Sequence, residues 1–159
     1  MWVRLHLKHG LRRALYTVLA LAWSSGISFY LLSRFVTIEG EFGPQKHPWQ
    51  YPVLQLHGAC AFLLLMSAGA LLLNHIPVAW RTARSRVSGL LLTSLVATMV
   101  LSAWCLYYVG DDEVRGWLAN GHAACGVTLP LLLAWHVIVG RRHAPSRSQE
   151  RGTGPAPKS

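Results

Sequence analysis

The sequence predicts an all-α membrane protein, a four-transmembrane-helix up-down bundle with both termini on the cytoplasmic side. Three observations carry that expectation: four long uncharged runs, a composition too apolar for a small soluble core, and a segregation of basic from acidic residues between alternate connections. The runs cover 14–33, 52–74, 87–109 and 117–139, each 20 to 23 residues free of Lys, Arg, Asp and Glu. A helix of about 20 residues spans the hydrocarbon core of a bilayer. Of 159 residues, 52% are hydrophobic and 13% charged, a balance that points away from an ordinary soluble domain.

The elements follow in order. Arg4, Lys8, Arg12 and Arg13 precede the first run. A basic start before an apolar stretch also describes a signal peptide. Here the stretch continues through Trp23 to Leu32 and is needed to close the topology, so it is read as a span. The first connection carries Glu39 and Glu41, the second carries Arg81, Arg84 and Arg86, and the third carries Asp111, Asp112 and Glu113. Arg141, Arg142, Arg147, Arg151 and Lys158 follow the last run. The N-terminus, second connection and tail thus hold 12 of the 15 Lys and Arg residues, and the first and third connections hold five of the six acidic ones. By the positive-inside rule the basic regions face the cytoplasm.

Residues 1–143 therefore form one transmembrane domain. Residues 144–159, rich in Pro, Ser, Gly and Arg, read as a disordered cytoplasmic tail. The net charge of +9 is a topology signal, because the cations flank apolar spans and line no helical face; nucleic acid is not expected as a partner. Trp2, Trp49, Tyr51, Trp80, Tyr107, Tyr108 and Trp117 fall near the span ends, where amphipathic rings meet lipid headgroups. The acidic triplet at 111–113 reads as a solvated loop. Cys60, Cys105 and Cys125 all lie within spans and are expected as free thiols.

The two halves of the chain are alike. Each is an outward span followed by an inward one, and the inward spans begin similarly, LHGAC at Leu56 to Cys60 and GHAAC at Gly121 to Cys125. His57 lies five residues after Pro52 and His122 five after Trp117, so the two imidazoles are expected at one depth near the outer face. Ionisable side chains in spans usually face the bundle interior and mark a function. His136 follows His122 by 14 residues, which leaves the side chains within about 40° of each other and about 21 Å apart. His75 follows His57 by 18, five full turns, hence one face and about 27 Å. The lower pair carries an axial mismatch of about 6 Å, which helix tilt and a bend at Pro130 can take up.

Four imidazoles so placed can hold two haems, or at least one. Neutral imidazole is a common axial ligand to haem iron, and the glycines at 26, 58, 69, 89, 121 and 126 leave room for a flat macrocycle between helices. Small residues also favour close helix packing with no ligand at all. A different class of function uses the same residues: His57 with Cys60 and His122 with Cys125, each three apart on one helix face, could form a zinc or copper site of a membrane metal-binding or transport protein.

The 14-residue spacing in the fourth span, with a partner His early in the second, resembles the four-helix di-haem cytochrome b subunits of respiratory formate dehydrogenase and nickel-iron hydrogenase over roughly Leu11 to Gly140. It is more distantly similar to the haem-bearing bundle of quinol-oxidising cytochrome b. The resemblance implies an outer haem b held by His57 and His122. It implies an inner one held by His136 together with a His at the start of the first span, His9 or His6. Those proteins show a His-Trp pair at that point, whereas here His9 is followed by Gly10, Leu11, Arg12 and Arg13; His75 on the second span is then the replacement, and His9 the alternative. The implied role is an electron-transfer subunit of the bacterial cytoplasmic (inner) membrane, working between a quinone pool and a partner such as a c-type cytochrome or a dehydrogenase subunit.

Overall fold

A computed structural model of the chain describes residues 9–74, 76–77 and 86–142. Four helices dominate it. They are α1 (His9–Phe35), α2 (Gln50–Asn74), α3 (Arg86–Tyr108) and α4 (Asp112–Arg142), with 27, 25, 23 and 31 residues. All four are long and apolar enough to cross a membrane. His75, Arg81, Arg84, His6 and the tail 144–159 lie outside the described residues.

Each charge-free run becomes a helix; α1, α2 and α4 extend past their runs, and α3 is displaced by one residue, from Arg86 to Tyr108. The largest extension is at the start of α4. Asp111 accepts a hydrogen bond through Oδ1 from the backbone N–H of Val114, 2.8 Å away, which is the N-cap arrangement. Asp112 and Glu113 then occupy the first turn, and Arg141 and Arg142 the last, each sign at the helix end whose dipole attracts it. The acidic triplet expected as a solvated loop is thus the cap and first turn of α4. That helix runs through Pro130 without interruption. At about 1.5 Å per residue its 31 residues reach roughly 46 Å, longer than a hydrocarbon core of about 30 Å is thick.

The first connection folds into a hairpin. Strands β1 (Thr37–Gly40) and β2 (Gly43–Lys46) pair antiparallel, from Thr37 opposite Lys46 to Gly40 opposite Gly43. The turn passes through Glu41 and Phe42 and closes on Gly43 at φ 110°, a conformation that a residue with a Cβ adopts only under strain. Phe42 stands exposed at the tip.

Packing is by helical hairpins: α1 lies along α2, α3 lies along α4, and the two hairpins join through α1 and α4. The helices carrying His57 and His122, α2 and α4, are not among the closely packed pairs. Among the described residues the buried set is small, Ala22, Cys60, Ser25 and Ser88, while large apolar side chains such as Leu73, Leu101 and Leu131 point outward. Such a surface suits a hydrocarbon solvent, in which a helix is viable because it satisfies its own backbone. The hydroxyls follow the same rule. Ser24, Ser25, Ser33, Ser67, Thr93, Thr98, Ser102 and Thr128 all donate to carbonyls three or four residues earlier.

Candidate functional site

His57 near the start of α2 and His122 near the start of α4 meet, with ring centroids 6.3 Å apart and planes at 87°. Both are half-buried. The parallel course of α2 and α4 brings them to one level, as the repeated His positions in LHGAC and GHAAC require.

Each ring is held by one nitrogen. His57 Nδ1 lies 2.9 Å from the backbone oxygen of Ala22 on α1. A carbonyl only accepts, so Nδ1 carries the hydrogen and donates it, and the lone pair of the neutral ring is on Nε2. His122 Nδ1 lies 2.8 Å from Ser102 Oγ on α3. The Ser102 hydroxyl has Thr98 O at 2.7 Å and Met99 O at 3.1 Å as acceptors within its own helix; with its hydrogen donated there, Oγ accepts from His122 Nδ1–H. In that arrangement the two imidazoles share a tautomer, with Nε2 of each able to ligate a metal. Nearly every metal-binding histidine donates its second ring nitrogen to an oxygen in this way.

Gly26 explains how the His57 ring comes so close to α1. A Cβ built there would stand 2.8 Å from His57 Cε1 and 3.0 Å from Nδ1. The glycine makes room for the His57 ring itself, a more specific purpose than the general clearance for a macrocycle that the sequence suggests. Gly58, Gly69 and Gly121 border open space instead.

The donor set suits a porphyrin. A macrocycle supplies four nitrogens of its own and asks the protein for one or two axial ligands. Imidazole nitrogens sit about 2 Å from a first-row metal, which puts the centroids of two rings on one axis roughly 6 Å apart, close to the 6.3 Å observed. Perpendicular ring planes are compatible with a shared axis, because rotation about it leaves the nitrogen in place. Among the described residues no three of His, Cys, Asp and Glu converge as a metal cluster, so His57, Cys60, His122 and Cys125 do not form the tetrahedral site considered above. Cys60 is buried and all three cysteines are free thiols.

At the lower level, His136 Nδ1 lies 2.9 Å from Ser88 Oγ, and its Cε1 is 3.5 Å from where a Cβ on Gly89 would stand, an ordinary contact. Its expected partner His75 is outside the described residues, and His9 is the first residue of α1. The structure therefore brings His57 and His122 together and places His136 against Ser88, apart from them.

Sequence reasoning did not find Ser102, Ser88, the Ala22 carbonyl, or a polar tie from Tyr30 Oη to Asn120 Oδ1, 2.9 Å, joining α1 to α4. For the serines a signal existed: Ser88 and Ser102 are 14 residues apart, the spacing of His122 and His136.

Fold and site together define a four-helix protein, its helices long and apolar enough to cross a membrane, with a half-buried pair of histidines in contact between two of them. Comparison with family models, curated proteins and solved structures gives no match to the chain.

Proposed function

We propose that the chain is a haem b-binding integral membrane subunit that moves electrons across a bacterial cytoplasmic membrane between a quinone pool and a partner redox protein, a c-type cytochrome or a dehydrogenase subunit. The observation that carries the reading is the His57–His122 pair, two rings on separate helices, both with Nδ1 committed to an oxygen and Nε2 available. His57 and His122 would hold an outer haem, and His136 with His75, or with His9, an inner one.

A haem bound there supplies a one-electron couple, with a potential set by its ligands, burial and hydrogen bonds. The chain's own part is positioning. Ala22 O and Ser102 Oγ orient the rings, and Gly26 lets His57 lie against α1. Orientation follows from charge: Arg12, Arg13, Arg86, Arg141 and Arg142 gather at one end of the bundle and Asp111, Asp112 and Glu113 at the other, which supports a cytoplasmic placement of both termini.

The test is optical. Detergent-purified protein should show b-type bands on reduction with dithionite, partial reduction by a short-chain quinol, and reoxidation by the quinone. A reduced spectrum without such bands overturns the reading, and zinc or copper found by elemental analysis would favour a metal-binding protein in its place.

A further inference from the structure

We propose that Ser102 and Ser88 are positioning residues, two hydroxyls on α3 that hold His122 and His136 as Nδ1–H tautomers, with Nε2 of His122 left for a ligand. The inference rests on the haem reading for what the ligand is, and on hydrogen bonding alone for the tautomer.

The two serines form a ladder in register. Helices α3 and α4 run antiparallel and closely packed. Ser102 meets His122 at 2.8 Å, Ser88 meets His136 at 2.9 Å, and both intervals are 14 residues. Fourteen residues is close to four turns, so each set stays on one helix face, and one interhelical register serves both levels. At the upper level the Ser102 hydroxyl has two main-chain acceptors behind it, Thr98 O and Met99 O. With its one hydrogen donated there, Oγ is an acceptor and His122 donates. Without that acceptor the ring gains the Nε2–H tautomer, which has no lone pair on Nε2 to offer, or turns over about its Cβ–Cγ bond. His57 is held differently, by a main-chain carbonyl that no substitution removes. Helix α3, which contributes no histidine, is thus the element that sets two ligands.

The experiment uses full-length protein labelled with ring-15N histidine, with and without added haem b. In the wild type, His122 and His136 report protonated Nδ1. Ser102→Ala should add the Nε2–H form at His122 alone, and Ser88→Ala at His136 alone. Ser102→Thr, which keeps the hydroxyl, should restore the wild-type pattern, and Ser102→Cys, nearly isosteric but a weak acceptor, should behave like alanine without leaving a void. With haem added, Ser102→Ala should lose about 10-fold in affinity and raise the midpoint potential, since a ring that no longer shares its hydrogen is a poorer donor to ferric iron. Unchanged tautomers in Ser102→Ala and Ser88→Ala, or no rescue by threonine, overturn the proposal. Protein that takes up no haem but shows the tautomer shifts upholds the ladder and overturns the haem reading, so the two failures are distinct.

Discussion

Replacing Gly26 with alanine puts a methyl carbon 2.8 Å from His57 Cε1 and 3.0 Å from Nδ1. Carbon atoms in contact settle at about 3.5–4.0 Å, so the ring must retreat by roughly 0.7 Å or more. The neighbouring backbone is helical on both sides, and the ring is the part that can yield. Its retreat stretches the 2.9 Å hydrogen bond to Ala22 O and shifts Nε2 relative to the His122 ring. Overpacking of this kind costs about 1–3 kcal/mol, which is about 5- to 150-fold in affinity for a group that needs both rings. The assay is a haem titration of Gly26→Ala followed by absorbance. Two controls come from the same geometry. Gly89→Ala meets His136 at an ordinary 3.5 Å and Gly58→Ala meets nothing within 4 Å, so both should bind like the wild type. Wild-type affinity in Gly26→Ala, or equal losses in all three, would refute the reasoning.

Three further outcomes are expected. Tyr30→Phe removes the 2.9 Å bond to Asn120 Oδ1 at about 1 kcal/mol, lowering the melting temperature by about 2–4 °C with the haem spectrum unchanged; a lost spectrum would place Tyr30 in the site itself. Asp111→Ala deletes the cap of α4 at about 1 kcal/mol, and amide exchange in the first turn should speed about fivefold while the rest of the helix is unaffected. Phe42→Cys, at the exposed hairpin tip, should react with a membrane-impermeant maleimide from outside intact cells, and reaction only in inverted vesicles would reverse the proposed orientation.

The four helices were legible because nothing but a bilayer-length helix makes sense of 20 or more uncharged residues in a chain with charges at every gap. The common level of His57 and His122 was legible for a related reason: LHGAC and GHAAC start parallel helices at matching distances from their ends. The beginning of α4 was not, since Asp111, Asp112 and Glu113 suit a solvated loop as well as a helix start until the Val114 N–H is seen on the Asp111 side chain. The hairpin at 37–46 was missed because Pro44 and two glycines in so short a stretch give little strand signal, and the pairing depends on Gly43 reaching φ 110°. The partners of the rings were hidden for a deeper reason. Ala22 contributes a main-chain oxygen, which no residue type announces, and Ser102 looks like any serine bonded within its own helix until the register against His122 is known.

The central claim, that His57 and His122 together hold a haem, is tested most directly by counting haem b per chain as the pyridine haemochrome in the wild type, His57→Ala and His122→Ala, each purified as a folded helical protein. The account predicts at least one haem b in the wild type and the same one lost in both variants. No haem in the wild type, or a full complement in either variant, contradicts it.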